Sequence, residues 1–154
     1  MTRHVRKVAV LGSGVMGSAI AAHFANAGIP SLVLDIVPRD LTDKEKAAGR
    51  TLEDRAVRDR IAREAVQALL KTRPSPLLHR DRLALIEVGN LEDDLPRLAE
   101  VDWVIEAVTE NLDIKRSLYE KVDAVRKPDC IVIEYRQRLT TAMNSNRLHI
   151  MLIN

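Results

Sequence analysis

The chain has 154 residues, 46% hydrophobic and 30% charged, which suits one ordinary globular domain with a real core. Its net charge of +2 and 3% aromatic content argue against nucleic-acid binding and give no electrostatic case for a membrane surface. The single cysteine, Cys130, excludes an internal disulfide and a cysteine-cluster metal site; with no apolar run of ~18 residues and no apolar signal region after MTRHVRK, the expectation is a cytoplasmic protein without a membrane span.

Lys7–Leu11 is a short, valine-rich apolar run and reads as a buried parallel strand. Gly12–Gly17 breaks it. Val15, Ala19, Ala22 and Ala25, beside Met16, Ile20 and Phe24, then recur at helical spacing, with Gly28 as the expected C′ residue. Ser31–Ile36 reads as a second strand, which completes a βαβ unit of about 30 residues. Pro38–Gly49 is polar and reads as a loop. Thr51–Lys71 carries an apolar stripe of Leu52, Ala56, Ile61, Ala65, Ala68 and Leu69. It reads as one long amphipathic helix whose Arg and Glu form a solvated outer face, ended by Pro74 and Pro76.

Arg82–Val88 is the expected third strand, Leu91–Leu98 a short turn or helix, and Val101–Val108, with Trp103, the fourth strand. Asn111–Arg126 reads as a helix with Leu112, Leu118, Val122 and Val125 inward, stopped by Pro128. Asp129–Ile133 is the fifth strand. Strands alternating with helices predict an α/β fold, a Rossmann-type doubly wound parallel sheet. Periodicity stops after Ile133. Residues 1–133 are therefore expected to form the domain, incomplete at its C-terminal end, and residues 134–154 a divergent tail without assigned structure.

Gly12, Gly14 and Gly17 fit G-x-G-x-x-G at the end of a strand and the start of a helix. The first glycine permits the tight turn, the second lets a pyrophosphate approach the backbone, and the third lets helix and strand pack closely. The helix start supplies free N–H groups and a partial positive charge. Asp35 follows Gly17 by 18 residues and ends the second strand, as expected of the acid that binds adenosine ribose hydroxyls. These features predict a dinucleotide site. A carboxylate at Asp35 favours NAD over NADP, against which stands the nearby Arg39.

The fourth strand runs into VIEAVTENLDIKRSLYEKV, which places Thr109–Asn111 at the carboxyl edge of the sheet, where ligands bind in this architecture. Capping chemistry alone explains Glu-Asn at a helix start equally well.

VLGSGVMGSAIAAHFANAG, the Asp-ended strand and WVIEAVTENLDIKRSLYEKV together resemble the NAD-binding domain of 3-hydroxyacyl-CoA dehydrogenases. The middle segment, RIAREAVQALLKTRPSPLLHRDRLALIEVGNLEDDLPRLAEVDWVIEAV, is similar to the large bacterial fatty-acid β-oxidation members; the likeness spans about residues 5–132. It implies oxidation of a 3-hydroxyacyl-CoA to the 3-oxoacyl-CoA with NAD as cofactor, and a homodimer in the full-length family. It also implies that Gly12, Ser13, Gly14, Val15, Met16 and Gly17 bind pyrophosphate, that Asp35 binds the ribose, that Ala107 lines the groove, and that Glu110 and Lys115 lie near the nicotinamide end. Two alternatives stay open: another β-hydroxyacid dehydrogenase, or a non-catalytic NAD-binding module.

The resemblance stops after the fifth strand. Where the family has a Ser-Asn-Thr-Ser-like turn, this chain has Glu134-Tyr135-Arg136-Gln137. The family then places its catalytic His in a His-Phe-Phe-Asn-Pro run, with an orienting Glu to follow. Here His149 lies in HIMLIN with no such acid after it, while His4, His23 and His79 read as surface or packing residues. No catalytic residue is assigned, and the chain alone is expected to bind NAD(H) weakly without turnover. A reading-frame shift near Val132 and a truncation with a vector-derived or divergent tail both account for the change.

Overall fold

The computed structural model describes residues 4–108 and 112–134. In them, β1 (Val8–Leu11), β2 (Ser31–Asp35), β3 (Ile86–Asn90), β4 (Trp103–Glu106) and β5 (Ile131–Glu134) form one parallel sheet in the order β3-β2-β1-β4-β5. This is the doubly wound order expected. β1 lies at the centre, with Leu11 opposite Leu34 of β2 and Glu106 of β4. The chain crosses to one side of β1 for β2 and β3, and to the other for β4 and β5. That reversal falls at the carboxyl ends of β1 and β4, the edge where ligands bind in this architecture.

Side chains alternate across a strand, so each central strand feeds two cores. Ala9, Leu11, Leu32, Leu34 and Val104 pack on one face with Leu98, Val101, Leu118 and Val122. Val10 and Val33 pack on the other with Ala21, Ala22, Ala25, Ala62, Val66 and Leu69. Helix α1 (Val15–Asn26) buries only small side chains, Gly17, Ser18, Ala21, Ala22 and Ala25, and so lies close to the sheet. It ends as expected, with Gly28 at φ 79° donating its N–H to the Ala25 carbonyl at 3.0 Å. The helix expected over Asn111–Arg126 is α5 (Leu112–Val125), which sends Leu118 and Val122 inward, with Val125 at the margin of the core.

Several boundaries differ from expectation. The polar loop Pro38–Gly49 holds a short helix, α2 (Asp43–Ala47), started by a capping box in which Thr42 and Glu45 bond each other's backbone N–H groups. The single helix expected over Thr51–Lys71 is broken into α3 (Arg55–Arg58) and α4 (Arg60–Ala68), and its buried residues are Val57, Ala62, Val66 and Leu69. Of the expected stripe, Leu52, Ala56 and Ala68 are exposed. The break falls at Asp59, whose backbone (φ −92°, ψ 4°) leaves the helix while its carboxylate is buried against Asn90 and Arg55. A tertiary polar contact thus overrides local helical period.

The third strand also starts later. Arg80–Leu85 is a 3-10 helix begun at His79, whose Nδ1 accepts the Asp81 N–H at 3.4 Å, and pairing with β2 starts only at Ile86. The short turn or helix expected over Leu91–Leu98 is a 3-10 helix whose bounds shift to Leu95–Glu100. The second and fourth strands end before Ile36 and Ala107. No helix among the described residues is long and apolar enough to cross a membrane.

Candidate functional site

The turn after β1 is built by its glycines. Gly12 sits at φ 97°, a conformation that disfavours a side chain, and donates its N–H to the Leu34 carbonyl at 2.7 Å. A Cβ there would lie 2.9 Å from the Ala107 carbonyl oxygen, so β4's exit packs directly on the turn. A Cβ on Gly17 would lie 1.8 Å from the Gly12 carbonyl oxygen, which fixes the start of α1 against the strand. Gly14 differs: a Cβ built on it meets no atom within 4 Å. Its bare backbone therefore faces open space, as a close-approaching phosphate requires. Gly14 is also the N-cap of α1, with no side-chain cap bond and no acid in the first turn. The first N–H groups of α1 therefore have no helical acceptor and no acid from the helix's own first turn beside them. Val15 is 87% exposed and Met16 half-buried beside them.

Asp35 closes on this turn from the end of β2. Its Oδ2 accepts the Ser13 N–H at 2.6 Å and the Ser13 hydroxyl at 2.5 Å, and its Oδ1 accepts the Ile36 N–H at 2.7 Å. Its carbonyl takes the Leu91 N–H at 2.9 Å, which continues the ladder past β3. Strand pairing thus fixes the backbone of Asp35, and the glycine turn fixes its carboxylate. Arg39 is exposed in the loop that follows.

On the β4 side, Glu106 is fully buried and gathers three donors: the Val108 N–H at 2.7 Å, the Tyr119 hydroxyl at 3.0 Å and the Lys115 ammonium at 3.1 Å. Lys115 is itself 5% exposed. Two buried opposite charges, closed by further hydrogen bonds, meet the condition under which such a pair is tolerated. The cluster joins the end of β4 to α5 and places Lys115 beside the strand exit. Glu106 was not among the expected site residues. Its signal was an acid inside the apolar run WVIEAV, where a buried strand position requires it to be partnered.

The structure therefore brings together Gly12, Ser13, Gly14, Gly17 and Asp35, with Ala107 against Gly12. Lys115 stands across the strand exit on Glu106. Glu110 lies outside the described residues, as do His149 and the Tyr135–Gln137 stretch. His4, His23 and His79 are exposed, His23 edge-on to Phe24 at 6.3 Å between ring centres and His79 bonded to its own 3-10 turn. Among the described residues, no group of three His, Cys, Asp or Glu is arranged to hold a metal ion. Cys130 is buried, and that burial pushes its thiol above the ordinary value, towards the unreactive protonated form.

A topological switch point that carries a glycine turn, an uncapped helix start and a strand-ending acid defines a Rossmann-type dinucleotide-binding protein. A model of the family described as the NAD-binding domain of 3-hydroxyacyl-CoA dehydrogenase matches residues 7–140, and the chain belongs to that family. NAD is accordingly the cofactor of the class. The chain is 53% identical over 132 residues to a probable 3-hydroxyacyl-CoA dehydrogenase of Bacillus subtilis, covering 86% of this chain and 17% of that protein. With a probable 3-hydroxyacyl-CoA dehydrogenase of Deinococcus radiodurans it shares 49% identity over 128 residues, covering 83% of this chain and 33% of the relative. In fold it is similar to the (S)-3-hydroxybutyryl-CoA dehydrogenase of Ralstonia eutropha, with a TM-score of 0.53 at 24% identity over 85% of this chain and 41% of the other. The chain thus spans a third or less of the two curated relatives.

Proposed function

We propose that residues 1–133 are the cofactor-holding domain of an NAD-dependent 3-hydroxyacyl-CoA dehydrogenase of fatty-acid oxidation. The observation that carries this reading is the meeting of Asp35 with the glycine turn at Ser13, beside a Gly14 backbone that no side chain covers. When bound, NAD accepts the hydride that leaves C3 of the 3-hydroxyacyl-CoA.

The chain's own residues bind and orient. The N–H groups at the start of α1 face the pyrophosphate, with Gly14 allowing its approach and Val15 and Met16 flanking it. Asp35 accepts a hydrogen bond from the adenosine ribose and repels a 2′-phosphate, which favours NAD over NADP. Ala107 lines the groove, and Glu110 and Lys115 lie towards the nicotinamide. A base must take the hydroxyl proton as hydride leaves. We assign none to residues 4–108 and 112–134; in the whole protein a His of a C-terminal region supplies it, and that region completes the acyl-CoA cleft and a homodimer. A cytoplasmic location fits the lone, buried Cys130.

Two measurements on this chain test the reading. Titration with NADH, followed by nicotinamide fluorescence, is expected to saturate, with NADPH weaker. Acetoacetyl-CoA reduction by NADH is expected to show no turnover. Absence of saturable NADH binding overturns the first half, and measurable reduction overturns the second.

A further inference from the structure

We propose that Ser13 is the positioning residue for Asp35 and, through it, sets the preference for NAD over its 2′-phosphorylated form. The proposal rests on the reading of Asp35 as the ribose-binding acid.

The geometry is specific. Ser13 is 3% exposed, and both of its donors, N–H and hydroxyl, end on the same oxygen, Asp35 Oδ2, at 2.6 and 2.5 Å. The other oxygen, Oδ1, takes the Ile36 N–H at 2.7 Å. A carboxylate offers about four lone-pair sites. Ser13 fills the two on Oδ2 and Ile36 fills one on Oδ1, so Oδ1 retains the site that can meet a ribose hydroxyl. Asp35 can then present that oxygen without first losing rotamer freedom.

The same contacts act against a phosphate. A serine hydroxyl carries one proton, and here Asp35 holds it, together with the backbone N–H of the same residue. Neither donor of Ser13 is left to meet a 2′-phosphate, which instead faces a fixed carboxylate. Nothing in the turn itself calls for a hydroxyl at this position. Gly12 and Gly17 carry the steric demands of the turn, and the Ser13 N–H alone would tie the turn to β2. The hydroxyl is an addition whose contact is Asp35.

The test compares four chains: the parent, Ser13→Ala, Asp35→Asn and the double variant. For each, NADH affinity is read by nicotinamide fluorescence, NADPH affinity by competition, and folding by cooperative thermal melting. Ser13→Ala is expected to weaken NADH about tenfold, the loss of one charge-assisted hydrogen bond, while NADPH changes by less than about twofold. In the Asp35→Asn background the same substitution is expected to change NADH affinity by less than about twofold, because the residue it acts through is gone. Should Ser13→Ala not melt cooperatively, Ser13→Cys, which keeps a weak donor, carries the test with a smaller loss expected. Equal losses for both cofactors, an undiminished loss in the Asp35→Asn background, or no loss at all overturns the proposal while the ribose reading stands. A parent chain that binds NADH no better than NADPH overturns the ribose reading and this proposal with it.

Discussion

The three glycines of the turn have separable physical roles, and substitution distinguishes them. At Gly17, alanine would put a Cβ 1.8 Å from the Gly12 carbonyl oxygen, so the helix or the turn must move. Gly17→Ala is expected to lower unfolding free energy by about 3 kcal/mol, the upper end of overpacking costs. At Gly14 the backbone is compatible with any residue (φ −57°) and the space beside it is open. Gly14→Ala is expected to cost no more than about 1 kcal/mol, a weaker N-cap, yet to remove most NADH affinity. Urea unfolding beside a cofactor titration checks both. Comparable stability losses with no difference in binding would contradict the division of roles. Glu106 offers a second test. Glu106→Gln keeps the side-chain shape but removes the charge 3.1 Å from the buried Lys115 ammonium. It is expected to cost about 3 kcal/mol in the same urea assay.

Among the elements, those with a strong local signal were legible in advance. Val8–Leu11, Ser31–Asp35 and α1 follow from short apolar runs, a glycine turn and a glycine stop, and they carry most of the expected site. The region between β2 and β3 was legible only in outline, because its geometry is set by contacts distant in sequence. Asn90, fully buried at the end of β3, donates to Asp59 at 2.7 Å and Asp93 at 2.9 Å, and its side-chain oxygen accepts the N–H groups of Glu92 and Asp93. Arg55 joins Asp59 at 2.6 Å to Asp94 at 2.5 Å, and Arg58 holds Asp93. The arginines expected only to face solvent therefore clamp α3 to the loop after β3, and Asp59 is drawn out of the helix that its neighbours would continue. Asn90→Ala is expected to destabilise the chain by about 2–4 kcal/mol, since it leaves buried Asp59 short of a donor. Asn90→Asp is expected to be worse, because it sets a carboxylate against Asp59 and Asp93. A urea midpoint for Asn90→Asp equal to or above that of Asn90→Ala would contradict this account of the break at Asp59.

For the whole molecule, charge also ties the sheet together at the end opposite the glycine turn. Asp102, just before β4, accepts the Arg6 N–H at 2.8 Å, the Lys7 N–H at 3.3 Å and the Lys127 ammonium at 2.7 Å, while its backbone pairs with Lys7 and Ile131. The Lys127 ammonium and the Arg6 N–H hold its carboxyl below the ordinary range. Its folded-state value being the lower one, Asp102 contributes stability fully above the unfolded value of about 3.9 and loses it as pH falls through the folded value. Asp102→Asn is therefore expected to be less stable than the parent at neutral pH, with the difference shrinking below about pH 4. Melting temperatures from pH 7 to pH 2 check this, and a difference that grows on acidification would contradict it. Glu87, bonded to Lys7 and Arg97, is also held low and adds to the same acid sensitivity, although its burial opposes the shift.

On the proposed function, the turn Gly12–Gly17 and Asp35 hold NAD at the carboxyl edge of this sheet. Backbone amide NMR of the chain, recorded as NAD is added, tests it residue by residue. Saturable shifts are expected at Ser13, Gly14, Val15, Met16, Gly17, Asp35 and Ile36, with the strands' opposite ends around Lys7 and Asp102 unmoved. Shifts centred away from the turn, or none at concentrations that saturate known NAD-binding domains, would contradict it.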